Sequence, residues 1–286
     1  MRRNSPSSAQ SGKATKSFAA AALKENWESL HQGDQEPFPD AARVTRLAKK
    51  HADLASWVED QGGAKAVAEG LQDAWRDFHA GRFAHAIDAG AKLGALGATA
   101  ANKAAAIHSL EQGLGATRAL KLLEAAMARG ERAVDSLPDY PNAHYMLALV
   151  LGRYSQRISI VQALATGLAT RVRKHLETTL ELEPRHAEAH LALGLYHAEI
   201  VAKIGALLAG LTYQASAGSA LEHFRRAIKL VPQSPVAHVE YANGLLLINA
   251  RGNREQARTL YEQAAAHEPS DAMERMDVER ARRGPP

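Results

Sequence analysis

A short motif in the second half of the chain constrains the fold more than any other feature. A proline is followed six residues later by a histidine at three places, namely Pro138 with His144, Pro184 with His190, and Pro232 with His238. Each histidine opens an apolar run. Proline has no N–H donor and clashes with the preceding helical turn, so each one predicts the end of a helix before the next begins. The motif therefore predicts helical hairpins stacked in a row.

The composition agrees with a helical chain. Hydrophobic residues make up 46% of the 286 residues, which is enough for a sizeable core, while aromatic residues make up only 5%. Alanine and leucine dominate, and both favour helix. No convincing strand pattern occurs. We therefore expect an all-α fold.

The residues between the motifs resemble the tetratricopeptide repeat. The first helix of that repeat has a large residue, then leucine and a small residue. Its second helix has a small residue, an aromatic residue and another small residue, and then ends at a proline. Small residues let the helices of a hairpin approach, and the aromatic fills the gap to the next hairpin. The resemblance implies a superhelical solenoid of antiparallel hairpins. Its matching residues are Leu193 and Gly194 for the first helix, and Ala220, Phe224, Ala227 with Pro232, and Ala257, Tyr261, Ala264 with Pro269, for the second.

The repeat pattern predicts the domain boundaries. Ala41 to Asp60 is expected to form one helix, capped by Asp40. The predicted segments are a disordered basic tail over 1–17, an irregular N-terminal helical cap over 18–63, degenerate helix pairs over 64–137, three clearer repeats over 138–184, 185–232 and 233–269, and a C-terminal tail over 270–286.

Two of the repeats are longer than the usual length of about 34 residues. Their extra residues, 158–168 and 200–211, are apolar and are expected to extend the first helices. An apolar insertion has to be covered, since large exposed apolar patches are uncommon. Three interpretations stay open, of which the first is favoured: added core, the roof of a tunnel for an apolar ligand, or a subunit interface. The candidate tunnel residues are Leu164, Leu168, Leu207, Leu208 and Leu211.

The inner groove of such a solenoid is lined by the first helices, at spacings of three and four residues. These positions are mostly apolar, so a clamp for a peptide's terminal carboxylate is not favoured. An apolar helix of a partner or an apolar small molecule fits better, although a tightly twisted superhelix could bury the same side chains without a ligand. The predicted groove residues are Tyr145, Leu149, Leu191, Leu195, Val239 and Asn243.

The layout of residues 138–269 also resembles two groups of repeat proteins. One is the T-component of TRAP transporters, trimeric proteins with an apolar pore that serve a periplasmic solute receptor. The other is the family of regulators of microtubule dynamics. Both have a long first helix, an apolar insertion and a second helix that ends in proline. The resemblance implies the fold and an apolar pocket.

Charge and cysteine content exclude several classes of function. The net charge of +4 comes from Arg2, Arg3, Lys13 and Lys16, because 35 − 4 leaves 31 basic residues against 31 acidic ones. No basic face of the kind that binds nucleic acid is predicted. The lack of cysteine excludes disulfides and thiolate chemistry. With no apolar stretch suited to a secretory signal or a membrane span, a cytoplasmic protein is expected.

No catalytic, cofactor-binding or metal-binding residues are predicted. His186 and His190 are four residues apart, but His186 lies in a turn and His190 occupies a packing position. His79 and His85 are expected at the surface. No phosphate-binding loop or nucleophile elbow is present. The sequence therefore predicts a scaffold that binds an unknown protein partner through an apolar groove, or alternatively a carrier of an apolar small molecule or lipid, in either case with an oligomeric state left open.

Overall fold

The computed structural model describes residues 20–285, and the tail predicted over 1–17 lies outside them. Every regular element in the described range is helical. The first five helices are α1 (Ala20–Leu30), α2 (Ala41–Lys50), α3 (Ala52–Asp60), α4 (Gly63–His79) and α5 (Phe83–Lys92).

The segment from Ala41 to Asp60 forms two helices rather than the single one predicted. Asp40 caps α2 as expected, because its side chain accepts a hydrogen bond from the Arg43 N–H at 2.7 Å. His51 then adopts an extended conformation and breaks the helix. The break lets α2 and α3 each place apolar side chains, Val44 and Leu54, in one cluster with α4.

The remaining helices form the repeats. Hairpins pair α4 with α5, α6 with α7, α8 with α10, α11 with α13, and α14 with α15, so the chain is an all-α superhelical solenoid of tetratricopeptide type. The helices are α6 (Gly94–His108), α7 (Ala116–Ser136), α8 (Pro141–Ser155), α9 (Ile160–Ala165), α10 (Leu168–Leu182), α11 (Ala187–Ile204), α12 (Ala206–Tyr213), α13 (Ala217–Leu230), α14 (Pro235–Asn249), α15 (Arg254–Ala265) and α16 (Ala272–Arg283).

The apolar insertions form short separate helices. The first is α9, which follows a break after α8, and the second is α12, which follows Gly205. Gly205 has φ 81°, a region that only glycine enters easily, so α11 has to stop there. The first helices of the middle repeats are therefore each followed by a short helix on the way to the second helix of the hairpin.

The joint between the last two clear repeats is built on one aromatic ring, as predicted. Phe224 is fully buried and lies between two glycines of neighbouring first helices, Gly194 and Gly244. A Cβ at Gly194 would lie 2.7 Å from the Phe224 ring. Tyr241 stacks on the same ring with centroids 5.2 Å apart, and Tyr261 is buried at the next joint. Small residues thus create the space that the aromatic fills.

Helix α16 occupies most of the segment that was expected to be a tail. It packs on α14 and α15, and it also contacts α4 near the start of the solenoid. Its cap residue Asp271 is 5% exposed, and its carboxylate contacts His79 Nδ1 at 2.8 Å. His79 was predicted at the surface but is buried, while His85 is exposed as expected. The solenoid therefore curls until its last helix meets its first hairpin.

Replacing Phe224 with alanine tests the repeat joint. The change should lower the free energy of unfolding by about 3–5 kcal/mol, because a large ring is removed from a fully buried site. Urea denaturation followed by circular dichroism measures it. Leu182→Ala, at a 39% exposed position, is the control and should cost far less. Equal stability losses in the two variants would contradict this packing.

Candidate functional site on the concave face

The concave face of the solenoid is occupied by a segment of the chain itself. Residues 31–39, here named the inner loop, connect α1 to α2 and run across the inner helices. The Glu188 N–H of α11 donates to the Gly33 carbonyl at 3.0 Å, and the Asn142 side chain of α8 donates to the Asp34 carbonyl at 2.9 Å. The Trp27 indole N–H donates to the Glu36 carbonyl at 2.6 Å. The backbone of the inner loop is therefore bound much as a peptide ligand would be.

A buried ion cluster lies under the inner loop. Lys103 Nζ donates to Asp34 Oδ2 at 2.6 Å and to Glu188 Oε1 at 3.0 Å, and the Tyr145 hydroxyl donates to Glu188 Oε2 at 2.8 Å. Lys103 and Asp34 are 7% and 1% exposed. Charges this deep are tolerated only when they are paired and hydrogen-bonded. The cluster joins the inner loop to α6, α8 and α11 at one point.

The pKa values in this cluster follow from burial and pairing. Burial alone would raise the pKa of Asp34, but Lys103 and His31 outweigh it and hold that pKa well below its usual range. Burial likewise opposes the charge of Lys103, yet the two carboxylates raise its pKa. Glu188 differs, because burial together with Asp34 raises its pKa despite Lys103. Lys103 is therefore the cation that keeps Asp34 ionised.

A second carboxylate of the inner loop is held nearby. Glu36 is 6% exposed, and it accepts hydrogen bonds from the Tyr140 hydroxyl and, at 2.7 Å, from Asn142 Nδ2. Arg43 lies 3.9 Å away. Burial raises the pKa of Glu36 in spite of these partners. His186 orients Asn142, since its Nε2–H donates to Asn142 Oδ1 at 2.8 Å while its Nδ1 accepts from the Ala189 N–H.

A chain of histidines connects this cluster to α16. His31 Nδ1 lies 2.9 Å from Asp34 Oδ1, and the Nε2 atoms of His31 and His79 are 3.2 Å apart. Burial lowers the pKa of His31 to about 4, so this ring is neutral at pH 7. Its Nδ1–H then donates to Asp34, and its Nε2 is an acceptor that lies 3.2 Å from His79 Nε2. His79 in turn contacts Asp271, the cap residue of α16. One chain of polar contacts therefore connects the inner loop to the helix that closes the solenoid.

The inner loop leaves part of the concave face open as a cavity of about 390 Å³, here named the concave cavity. Its apolar lining, here named the leucine wall, includes Phe78, Ile107, Leu149, Leu191 and Leu195. Its carboxylates, here named the acidic wall, come mostly from α14, α16 and the segment before α16. Its acidic residues are Glu188, Glu240, Glu268, Asp271, Glu274 and Asp277. The cavity can therefore hold a group that is apolar on one side and polar on the other.

Four of the predicted groove residues line this cavity. They are Tyr145, Leu149, Leu191 and Leu195, and each comes from a first helix as expected. Val239 is fully buried in the core instead. Asn243 bonds to Glu240 and to the Tyr261 hydroxyl and does not line the cavity. The groove is more polar than its predicted residues implied, because the acidic wall includes residues from the segment expected to be a tail.

The predicted tunnel residues are dispersed. Leu168 is buried in the core, whereas Leu207, Leu208 and Leu211 of α12 are 76%, 56% and 77% exposed. The side chain of Leu164 lies outside the described part of the structure. None of the four described leucines lines either of the two large cavities. Their proposed part in ligand binding stays a prediction.

A second cavity of about 270 Å³, here named the repeat cavity, lies between α8, α10 and α11 beside the insertions. Its lining is mainly apolar, with Ile158 and Ala163 from the first insertion and Ile200 and Ile204 from the end of α11. It adjoins the concave cavity, since Leu149, Arg153, Ala192 and Leu195 line both. Both predicted insertions, 158–168 and 200–211, therefore contribute residues to this lining, but the described candidate leucines do not.

The sequence pattern missed Asp34, Lys103, Glu188 and Asp277. Lys103 carried the clearest signal, because it is the only formally charged side chain in α6, a helix made largely of alanine. Asn142 and Glu188 each precede a repeat histidine by two residues, which places them at equivalent positions. Asp34 and Asp277 lie outside the repeats, where periodicity gives no information.

Histidine pairs also occur within the repeats. His144 contacts His175 with 3.1 Å between their Nδ1 atoms, and His190 contacts His223 at 2.9 Å in the same way. Burial lowers the pKa of His175 and of His190 to about 4, so one ring of each pair is neutral at pH 7. Over residues 20–285, no group of three or more histidine and carboxylate side chains is arranged to hold a metal ion. Nor is any helix in that range long and apolar enough to cross a membrane.

Replacing Lys103 with methionine tests the ion cluster. The variant should lose about 3–5 kcal/mol of unfolding free energy, because Asp34 is left as a buried, unpaired carboxylate. Urea denaturation at pH 7 measures the loss. Lys65→Met is the control, since Lys65 is exposed and lies 3.9 Å from Glu69, and it should change stability by less than about 0.5 kcal/mol. A loss below about 1 kcal/mol for Lys103→Met would count against a central role for the cluster.

Known proteins support both the fold and the family. No curated protein sequence matches the chain significantly. Among solved structures, a thermophilic TPR protein of Thermus thermophilus is similar, with a TM-score of 0.54 and 17% identity over 76% of this chain and 98% of that one. This likeness concerns the fold alone. The family described as regulator of microtubule dynamics protein 1-3 matches residues 100–283, which is more than half of the chain. The chain therefore belongs to the regulator of microtubule dynamics family.

Proposed function

We propose that the protein is a non-enzymatic scaffold whose concave cavity binds a segment of another protein. The observation that carries the proposal is the cavity itself, about 390 Å³ in volume and lined by the first helices of successive repeats. Repeat proteins use such concave surfaces to bind partners. Membership of a family named for regulators of microtubule dynamics fits action through protein contacts. A cytoplasmic location and the oligomeric state stay predictions.

The way the inner loop is bound supports the same function. The solenoid already holds one irregular segment through backbone carbonyls and buried carboxylates. A partner segment in the adjoining cavity would contact side chains of the same inner helices. These are Tyr145 and Leu149 of α8, Leu191 of α11, and the carboxylates of the acidic wall. The concave face is therefore suited to peptide recognition along its whole length.

Enlarging a residue of the concave cavity tests the scaffold. Val236 lines this cavity and not the repeat cavity, so Val236→Trp should reduce the capture of partner proteins from native lysate at least about tenfold, a loss of about 1.4 kcal/mol. Quantitative mass spectrometry of the captured proteins measures this. Leu182→Trp, at an exposed position away from both cavities, is the control and should keep the partners. An unchanged set of partners with Val236→Trp would contradict the scaffold.

A second function, the carriage of an apolar small molecule or lipid, is favoured by the repeat cavity. This cavity is mainly apolar, and its lining includes Ile158, Val172, Ile200 and Ile204. Ligand sites are typically lined mainly by apolar side chains with a few polar groups, and this cavity has such a lining. The exposed leucines of α12 fit a different alternative, a subunit interface, which also stays a prediction.

Ala163→Trp tests the carrier. Ala163 lines the repeat cavity alone, so filling it should remove any apolar compound that copurifies with the parent protein while leaving the melting temperature nearly unchanged. Solvent extraction followed by mass spectrometry measures the compound. Leu208→Trp is the control, because Leu208 is 56% exposed and lines neither cavity, and it should retain the compound. A parent extract that matches a buffer blank would rule out carriage.

A further inference from the structure

The concave cavity has an imbalance of charge. Six carboxylates line it, against two basic side chains, Lys103 and Arg153, apart from the histidines. Most of these carboxylates have partners: Glu188 pairs with Lys103, and Asp271 pairs with His79. Glu274 accepts from the Ser270 N–H at 2.7 Å and contacts His267 at 3.3 Å. The remaining two buried carboxylates, Glu240 and Asp277, share a single guanidinium.

That guanidinium belongs to Arg280. Its Nη2 donates to Glu240 Oε1 at 2.7 Å and to Asp277 Oδ1 at 3.2 Å. The shorter contact goes to Glu240, and although burial opposes its ionisation, Arg280 and Arg153 lower its pKa. The hydrogen bond from Arg280 to Asp277 is therefore the longer and weaker of the two. Its second oxygen, Oδ2, has no hydrogen-bond donor among the described residues.

Asp277 is nevertheless buried. Its exposed fraction is 8%, and it lines the concave cavity. Because no group of the described residues donates to Oδ2, this oxygen can accept a hydrogen bond from a ligand in the cavity. Burial raises the pKa of Asp277 to about 7, and the nearby carboxylates Glu240, Glu188 and Asp271 act in the same direction while Arg280 opposes them. A cationic ligand group beside Asp277 would oppose this rise and favour the ionised carboxylate.

The apolar part of the lining defines what else the ligand must carry. Leu149, Leu191 and Leu195 line the same cavity as Asp277. A small inorganic cation would leave this surface uncovered. An arginine or lysine side chain combines an apolar stem with a cationic end, and such side chains bury their stems readily. Arginine also donates in a planar fork that suits a carboxylate.

We propose that the concave cavity binds an arginine or lysine side chain of a partner segment, with the cationic end on Asp277 and the stem against the leucine wall. This inference rests on the proposed scaffold function and specifies its partner. The segment is one in which a basic residue is flanked by apolar ones. Asp277 is then a specificity-determining residue, because it supplies the acceptor that a neutral side chain cannot use.

Two peptides that differ in charge alone test the proposal. The probes are acetyl-Leu-Leu-Arg-Leu-amide and the same peptide with citrulline, which is neutral and nearly isosteric with arginine. Calorimetric titration of the full chain at pH 8 should give at least tenfold tighter binding of the arginine peptide. Asp277→Asn should reduce this ratio to near one. Glu279→Gln, which removes an exposed charge from the same helix, should preserve it.

The preference for the arginine peptide over the citrulline peptide should also depend on pH. Protonation of Asp277 removes the acceptor charge, so the ratio should fall as the pH drops from 8 to 6, and it should not change over this range in Asp277→Asn. Circular dichroism and melting temperatures of each variant verify that the protein is folded. The charged groups that act on Asp277 are Arg280 on its own helix, Asp271 at the cap of that helix, Glu240 on α14 and Glu188 on α11. The other titratable groups that line the cavity are His79, Lys103, Tyr145, Arg153, His267, Glu268 and Glu274.

The outcomes separate this inference from the scaffold function. Equal affinity for the two peptides, abolished by Val236→Trp, would overturn the cation site and leave the scaffold standing. Arginine amide alone binding as tightly as the whole peptide would assign the cavity to a free small cation and overturn the partner segment. Failure of both peptides to bind would overturn the inference as well, while partner capture by the parent protein would still decide the scaffold.

Discussion

The buried ammonium of Lys103 is the interaction on which the rest of the structure depends. A lysine in the middle of an alanine-rich helix cannot remain charged in a core unless carboxylates reach it. Asp34 arrives from the inner loop and Glu188 from α11, at 2.6 and 3.0 Å. Asp34 and Glu188 lie 69 and 85 residues from Lys103 in sequence, and both contact its Nζ atom. The inner loop is held in the concave face because this charge requires it.

The same cluster explains why the solenoid closes. His31 contacts Asp34 and His79, and His79 contacts the cap of α16, so the ion cluster is linked to the last helix through hydrogen bonds. Closure brings the carboxylates of α16 into the same cavity as the leucines of α8 and α11. The cavity is amphipathic for this reason. An open solenoid with the same repeats would present a mainly apolar groove, as the repeat positions alone predict.

The sequence was informative where structure is periodic. The proline-to-histidine spacing predicted the hairpins, and the small and aromatic positions predicted the burial of Phe224 and Tyr261 at the joints. Tyr145, Leu149, Leu191 and Leu195 were assigned to the inner face because a repeat fixes which way its helices point. The inner loop and α16 could not be found in this way. Both are held by contacts with residues that are not related by the repeat, and contacts of that kind leave no period in a sequence.

The apolar insertions show a further limit. Their hydrophobicity predicted burial, but α12 is held chiefly by Ala209 and leaves three leucines exposed. Composition predicts that a segment has to be covered, but it does not indicate which surface covers it. The repeat cavity is lined by Ile158, Ala163, Ile200 and Ile204 of these segments together with residues of α8 and α10, and not by the exposed leucines of α12.

The central claim is that the inner loop is a fixed part of the concave face. Amide hydrogen exchange of the full chain, followed by mass spectrometry of peptides that cover residues 31–39, tests it most directly. The account predicts exchange as slow as that of the inner helices α8 and α11, and exchange that becomes fast in Lys103→Met under conditions where those helices stay protected. Exchange of the parent loop within seconds would contradict it, because a loop bound by Lys103, Asn142 and Glu188 cannot open that often.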